Sequence, residues 1–221
     1  DRIDPDYYDA INFYGSGFWK NSAVDTPARI LVENGHEQTF AYRFDWDELR
    51  EVNGVDLSRL VGAAHALEIL FVMGTFDNFI IKSFLFGRGS FRPALELSSN
   101  IQSYWAEFAY TGNPGKGTNN ALPLWKKWSN EGEKYLILDS TLDQGIKMSD
   151  EEYTVEFLLD KLSNDSRLSD IEKCETLFGI SYDDGSGVSE NVFNNFLGGI
   201  CKDLDYCLLY TSDAADDSLG V

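Results

Sequence analysis

Aromatic side chains occupy every second position over 39–44, in the order Phe40, Tyr42 and Phe44. A period of two is typical of a strand that turns one face toward a core. A second short strand is predicted over 135–139, where three aliphatic residues follow a tyrosine. The residues that connect the first strand to His65, 45–64, are predicted to form a loop.

Apolar residues spaced three and four apart predict two helices before residue 112. The first is expected to begin at Asp25 or Thr26, with Pro27 in its first turn, and to end at 34–35, an Asn-Gly pair. The second is expected over 98–110, and Gly112 permits a left-handed end. Its predicted capping box is Ser99 with Gln102, and its predicted apolar stripe is Ile101, Trp105, Phe108 and Ala109.

The sequence beyond Met148 changes character and predicts two further helices. Each begins with a Ser-x-x-Glu capping pattern, one at 149–152 and the other at 169–172. The segment 183–187 combines aspartate with glycine but lacks the spacing and the terminal Glu of a calcium-binding hand. We therefore predict a solvated turn there.

The net charge of −19 bears on partners rather than on fold. Nucleic-acid binding requires clustered Lys and Arg, so we expect no nucleic-acid partner. The apolar stretch 67–86 is interrupted by Glu68, Asp77, Asn78 and Lys82. A buried core segment is therefore predicted, and a membrane span is not.

The three cysteines are Cys174, Cys201 and Cys207, and none occurs in the first 173 residues. No Cys-x-x-Cys spacing is present, so no structural metal site is predicted. Two interpretations remain open for Cys174 and Cys201, a disulfide or two free thiols. We favour free thiols.

Two blocks of sequence carry the candidate chemistry. The first is Gly62-Ala63-Ala64-His65-Ala66-Leu67-Glu68, and the second runs from Leu97-Ser98 through Tyr104-Trp105-Ala106-Glu107-Phe108-Ala109-Tyr110-Thr111-Gly112-Asn113-Pro114. Their order and spacing resemble the C-terminal third of the type-B carboxylesterases, the family that includes the cholinesterases. The resemblance covers roughly residues 5–140. It implies an α/β fold, the C-terminal part of an α/β-hydrolase three-layer fold in which an incomplete sheet is flanked by helices.

The same resemblance assigns roles to single residues. The family histidine of the first block is the general base of a Ser-Glu-His triad, which gives this role to His65. Glu68 is not taken as the triad acid, because the family carries a glutamate here in addition to that acid; a structural hydrogen bond or ion pair is expected instead. His36 is expected to be exposed. Aromatic residues after the histidine could line a substrate gorge, but core packing is the default for Phe71, Phe76 and Phe79.

The serine of such a triad is missing from the sequence. No Gly-x-Ser-x-Gly elbow occurs, and the nearest patterns, at 179–183 and 187–191, follow His65 and lack the second glycine. The chain begins at Asp1 and has no methionine before Met73. We therefore expect 1–206 to be the C-terminal portion of a type-B carboxylesterase domain. Residues from about 207 resemble a translated sequencing adapter, so 207–221 are expected to be a non-native tail.

The predicted function is that of a carboxylic ester hydrolase of the serine-esterase type. The substrate would be a small-molecule carboxylic ester, without a cofactor or a metal, and this part alone would be inactive because nucleophile and acid are absent. The alternative is a non-catalytic, cholinesterase-like interaction protein, since the fold also hosts proteins that have lost the serine. Retention of His65 favours the enzyme.

Overall fold

A computed structural model describes residues 4–76, 85–87, 89–181 and 186–203. The chain divides into two compact units, a sheet unit of Ala28–Glu151 and a helical unit of Asp1–Pro27 with Glu152–Val221. Three subjects of the sequence predictions lie outside the described residues: residues 77–84 of the apolar stretch, which include Phe79, most of the predicted turn at 183–187, and the tail 207–221.

The described elements are helices and short strands in mixed order. In chain order they are α1 (Pro5–Lys20), a π-helical segment (Asn21–Asp25), α2 (Thr26–Glu33), β1 (Tyr42–Phe44), β2 (Glu51–Val52), β3 (Val55–Asp56), α3 (Leu57–Val61), α4 (Glu68–Met73), α5 (Phe91–Thr111), β4 (Tyr135–Leu138), β5 (Lys147–Ser149), α6 (Val155–Ser163), α7 (Asp170–Ser181), α8 (Glu190–Asn195) and a 3-10 segment (Phe196–Asp203).

The sheet unit is built on a three-stranded sheet of order β1-β4-β5. β1 runs parallel to β4, with Phe44 opposite Leu138, and β5 runs antiparallel to β4. All four residues of β4 are buried, because a central strand covered on both faces has no solvent side. This confirms the predicted strand at 135–139, and it confirms the strand at 39–44 for Tyr42–Phe44.

An aromatic core packs against this sheet. The fully buried ring of Phe71 lies 4.9 Å from Phe44, 5.0 Å from Trp46 and 5.2 Å from Phe76, measured between ring centroids. Edge-to-face and tilted contacts of this kind add to the free energy gained from burial alone. Phe71 and Phe76 are thus core residues, as predicted.

The connection between β1 and His65 is not the loop that we predicted. β2 and β3 pair as a hairpin whose turn residues, Asn53 and Gly54, have φ values of 53° and 81°. Two successive positive φ values define a type I′ turn, for which Asn-Gly is favoured. α3 follows at once, capped by the Asp56 carboxylate, which accepts from the Ser58 and Arg59 amides. The chain therefore reaches His65 through a hairpin and a short helix.

Helix α5 begins earlier than predicted, at Phe91 rather than near residue 98. Pro93 lies in its first turn, where an N–H would lack an intrahelical partner, so the proline costs no hydrogen bond. The predicted end is confirmed, because Gly112 has a φ of 74° and its N–H donates to Phe108 O at 2.7 Å. The predicted stripe is confirmed at Ile101 and at Trp105, which packs partly buried against the core, and is wrong at Phe108 and Ala109, which are exposed. The fully buried face of the helix is Ala94, Leu97, Ser98, Ile101 and Tyr104.

The helical unit has its own core. Its fully buried side chains include Tyr14 of α1, Leu158 and Leu162 of α6, and Leu177 of α7. α1 approaches α6 so closely at Gly17 that a Cβ there would lie 2.9 Å from Leu158 Cδ2. Only glycine allows this approach without a shift of the neighbouring side chain.

The helix predicted to start at Asp25 or Thr26 in fact continues from α1 through the π-helical segment. The Thr26 N–H donates to Asn21 O, five residues back. Pro27 has no N–H to donate, and in a regular helix its ring clashes with the carbonyl four residues earlier. The wider π turn before Pro27 accommodates both effects. The predicted end of the helix is confirmed, since Gly35 has a φ of 85° and His36 N–H donates to Leu31 O at 2.9 Å, as in a Schellman motif.

Of the two predicted capping boxes beyond Met148, the second is confirmed. Ser169 donates from its N–H and from Oγ to Glu172 Oε2, both at 2.7 Å, and Glu172 N–H donates to Ser169 Oγ at 3.3 Å. The first is wrong, because Lys147–Ser149 form strand β5. α6 is capped instead by Thr154, whose hydroxyl accepts from Phe157 N–H at 3.1 Å.

The interpretation of two free thiols is also wrong. Cys174 of α7 and Cys201 of the 3-10 segment form a disulfide, with their Cα atoms 5.2 Å apart. Both residues are fully buried in the core of the helical unit. The sequence alone could not decide this, because the pairing depends on two segments that are 27 residues apart meeting in space.

Candidate active site

His65 lies in a tight turn directly before α4. Leu67 N–H donates to Ala64 O at 3.1 Å, so His65 and Ala66 are the two central residues of that turn. Ala66 has a φ of 71°, as the third position of a type II turn requires. The imidazole is solvent-exposed, and the neighbouring Ala63 and Ala66 are exposed as well. A substrate-sized group can therefore approach the histidine without meeting a large side chain next to it in sequence.

The backbone on both sides of His65 is in unusual conformations. An L-residue in the left-handed region costs about 1–2 kcal/mol, and alanine has no polar side chain to offset that cost at Ala66. Gly62 has φ 55° and ψ −149°, a region open almost only to glycine. Local strain of this kind is found at functional sites, where the surrounding structure holds it in place.

The turn is joined to α4 by further backbone hydrogen bonds. Ile69 N–H donates to Ala66 O at 3.3 Å, and Leu70 N–H donates to Leu67 O at 3.2 Å. α4 in turn packs on α5, where Ser98 Oγ donates to Phe71 O at 2.6 Å. The histidine thus sits on a turn that is held by a helix pair rather than by the sheet itself.

Glu68 and His36, the other two residues weighed from the sequence, have separate positions. Glu68 lies in the first turn of α4, partly buried. The pKa of the Tyr42 phenol is raised, first by burial and second by the charge of Glu68, which places the carboxylate near β1. The hydrogen bond or ion pair expected for Glu68 stays a prediction. His36 is exposed at the end of α2, as predicted.

A cluster of acidic residues that the sequence did not reveal lies at the carboxyl ends of β1 and β4. The two strands are parallel, so the loops after Phe44 and Leu138 leave the sheet at one edge, where Asp45 N–H donates to Leu138 O at 3.1 Å. Ser140 Oγ donates to Glu48 Oε1, while Glu48 Oε2 is buried without a hydrogen-bond partner among the described residues. This edge is where open α/β sheets carry their ligand sites.

Asp139 is the most perturbed acid of this cluster. It is 2% exposed, and its carboxylate accepts from Ser140 N–H at 2.7 Å and from Gln144 N–H at 3.2 Å. Burial raises the pKa of Asp139 to about 6, against those two N–H bonds, and the charges of Glu48 and Asp143 add to the rise. The carboxyl group can therefore exchange a proton close to neutral pH. Asp139 lines a cleft of about 160 Å³, to which Pro93 and Asn100 of α5 also contribute.

An aspartate directly after an apolar strand is the one sequence signal that could have pointed to Asp139. The sequence carries no comparable signal for the other members of the cluster, because the Ser140–Glu48 contact joins residues that are 92 apart in the chain. Within the described ranges, no three His, Cys, Asp or Glu side chains are arranged to hold a metal ion. In the same part of the chain, no helix has the length and apolar character needed to cross a membrane.

Comparison with known proteins places these features in a family. The family model described as "Carboxylesterase family" matches residues 6–157, which include the His65 turn, both strands of the parallel pair and α5. Among curated relatives, dog carboxylesterase 5A is 39% identical over 46% of this chain, and bovine carboxylesterase 4A is 38% identical over 42% of it. The para-nitrobenzyl esterase of Bacillus subtilis (strain 168) is 30% identical over 57% of it.

The matched segments are short parts of these relatives. They span 16% of the dog protein, 15% of the bovine protein and 22% of the bacterial one. No solved structure matches the chain. The family match nevertheless covers well over half of the 221 residues, and this protein therefore belongs to the carboxylesterase family, whose fold is that of the α/β-hydrolases.

Proposed function

We propose that this chain is the part of a serine carboxylesterase that carries the catalytic base, and that His65 is that base. The observation that carries the proposal is an exposed imidazole on a strained turn between small residues, inside the segment that matches the carboxylesterase family. A loop residue held by packed elements is the usual placement for a catalytic side chain.

The proposed fold is the C-terminal portion of the three-layer α/β-hydrolase sheet, formed by residues 1–206. Support comes from the parallel pair β1–β4 and from the core that Leu136 and Leu138 of the buried strand β4 share with α4 and α5. β1 is an edge strand among the described strands, so its outer backbone groups are open to pairing with a further strand. Residues 207–221 are proposed to be a non-native tail.

In the proposed mechanism, His65 accepts the proton of a serine hydroxyl as that oxygen attacks the ester carbonyl, and then returns the proton to the leaving alcohol. A neutral imidazole can perform both steps near pH 7. The serine, the triad acid and the oxyanion hole are proposed to come from sequence outside these 221 residues, since no Gly-x-Ser-x-Gly elbow occurs in them. Substrates would be small carboxylic esters, and no cofactor enters this chemistry.

The experiment has two steps. The first is to sequence the source DNA upstream of the codon for Asp1, where a Gly-x-Ser-x-Gly elbow is expected. The second is to express the completed enzyme with His65→Ala, which should lower kcat by roughly 10⁴-fold while KM changes little, because the base acts on the serine proton rather than on substrate binding.

The matched control is His36→Ala, since His36 is the only other histidine and is exposed at the end of α2. It should leave kcat and KM nearly unchanged. The 221-residue chain by itself should release p-nitrophenol from p-nitrophenyl acetate no faster than the completed enzyme that carries His65→Ala. Full activity of the completed enzyme without His65 would refute the assignment, and a replaced serine in the upstream sequence would favour a non-catalytic interaction protein.

A further inference from the structure

The carbonyl of Phe71 is an unusual feature of the α4–α5 contact. α4 ends at Met73, so the carbonyls of its last turn lack intrahelical partners. In a longer helix the amide of Thr75 would donate to Phe71 O, but here it donates to Leu70 O at 3.1 Å. The Phe71 carbonyl therefore depends on side chains from elsewhere, because Phe71 is fully buried and water cannot serve it.

Two side chains of α5 supply the missing donors. Ser98 Oγ donates to Phe71 O at 2.6 Å, and Ser98 is itself only 3% exposed. Gln102 Nε2, one helical turn further along, lies 3.4 Å from the same carbonyl and 3.4 Å from Ser98 Oγ. These two residues, which we call the α5 clamp, hold the end of α4 by a short buried hydrogen bond and a longer, more exposed one.

The amide of Gln102 also covers the backbone directly after α4. Gly74 has a φ of 64°, which favours glycine, and a Cβ at that position would contact Gln102 Nε2. Because Nε2 is the end of a flexible side chain, it can shift, so the register of α4 along α5 is set by the buried hydrogen bond from Ser98 to Phe71 O.

We propose that Ser98, with Gln102, is a positioning residue for His65. The inference rests on the proposed function, since the orientation of the His65 imidazole affects catalysis only if His65 is the base. The His65 turn is continuous with α4 through the hydrogen bonds of Ile69 and Leu70, so a helix that slides or frays at its far end moves the turn as well. Ser98 acts through α4, whose Phe71 carbonyl accepts its hydroxyl.

The test uses the 221-residue chain with Ser98→Ala and a matched control, Ser99→Ala, whose side chain is on the exposed face of the same helix. Hydrogen exchange is followed in peptides that cover 64–74. Ser98→Ala leaves a buried carbonyl with one long hydrogen bond, so exchange there should be roughly tenfold faster or more, with α7 unchanged. Imidazole ¹H–¹⁵N spectra should show a broadened or divided His65 signal and an unchanged His36 signal.

Ser99→Ala should match the parent chain in both measurements. If Ser98→Ala does not fold, Gln102→Ala tests the same carbonyl from an exposed position and should show a smaller change of the same kind. Parent-like exchange and a single sharp His65 signal in both α5 variants would overturn the proposal. In the completed enzyme, Ser98→Ala should lower kcat with little change in KM. If the completed enzyme without any substitution hydrolyses no ester, but Ser98→Ala still speeds exchange as expected, the proposed function is refuted and the positioning of His65 by α5 is not.

Discussion

The Cys174–Cys201 disulfide should control the stability of the helical unit, and its reduction is the cleanest perturbation that this chain offers. The bond joins α7 to the 3-10 segment inside a core where both cysteines are fully buried. Reduction changes the chemistry of no other side chain, so the measured change comes from the loss of the cross-link. Replacing Cys207 with serine beforehand prevents the third thiol from exchanging with this pair.

The expected magnitude follows from the sequence separation of 27. Closing a loop of that length removes about 12 cal/mol/K of chain entropy from the unfolded ensemble, which is about 3.5 kcal/mol at 25 °C. The free energy of opening this unit should fall by up to that amount on reduction. Since about 1.4 kcal/mol corresponds to a factor of ten in an equilibrium constant, amides that exchange through this opening should exchange a few hundredfold faster.

Hydrogen exchange with mass spectrometry separates this effect from a general loss of stability. Peptides from α7, α8 and the 3-10 segment should exchange faster in the reduced protein. Peptides from α5, which belongs to the sheet unit, serve as the internal control and should keep their rates. Global two-state analysis is unsuitable here, because a chain of two units need not unfold in one step.

Two results would refute this reasoning. One is the detection of free thiols at Cys174 and Cys201 in protein that was unfolded without a reductant, which would restore the interpretation of two free thiols. The other is equal exchange in the oxidised and reduced forms, which would mean that the noncovalent core around Leu177 holds these segments without the cross-link.

Two further predictions concern the sheet unit. Burial raises the pKa of Asp139 from 3.8 to about 6 in the folded state. The protonated carboxyl therefore adds about 3 kcal/mol to the unfolding free energy below pH 4, and this stabilisation is lost as the pH rises through 6. In Asp139→Asn, the opening free energy of the sheet unit, measured by hydrogen exchange of its peptides at pH 4 and pH 7, should lack this difference; an unchanged pH dependence would contradict the assignment. Ala66→Gly should raise the opening free energy of the same unit by up to about 1 kcal/mol by relieving a φ of 71°, whereas Ala64→Gly, where φ is not positive, should lower it; the opposite order of the two exchange rates would disprove the strain.

The accuracy of the sequence predictions depends on how local each signal is. The ends at Gly35 and Gly112 and the capping box at Ser169 were found because each is decided by a few neighbouring residues. The start of α5 was missed for the opposite reason. The predicted capping box of Ser99 with Gln102 is wrong, because both residues lie inside the helix, and the Gln102 amide donates to the Phe71 carbonyl of another helix.

One error could have been avoided from the sequence. Val52-Asn53-Gly54-Val55 is a strong local signal for a hairpin, and the structure has that hairpin where a loop was predicted. The acidic cluster could not have been found in this way. Its members come from segments more than 90 residues apart, and only the parallel pairing of β1 with β4 brings them to one edge.

The limits of the family match and of the structural units differ, and this difference bears on how the chain folds. The match ends at residue 157, inside α6, whereas the helical unit includes α1 from the matched region and α7 and α8 from beyond it. Tyr14 and Phe18 of α1 are almost completely buried, in the same core as Leu162 and Leu177. Burial of a large apolar side chain contributes about 1.5–3 kcal/mol, so the first helix of the family segment depends for much of its stability on residues that the family model does not include. Sequence beyond the family match is therefore part of the fold, and the disulfide that joins two of its segments lies in the core that buries this first helix.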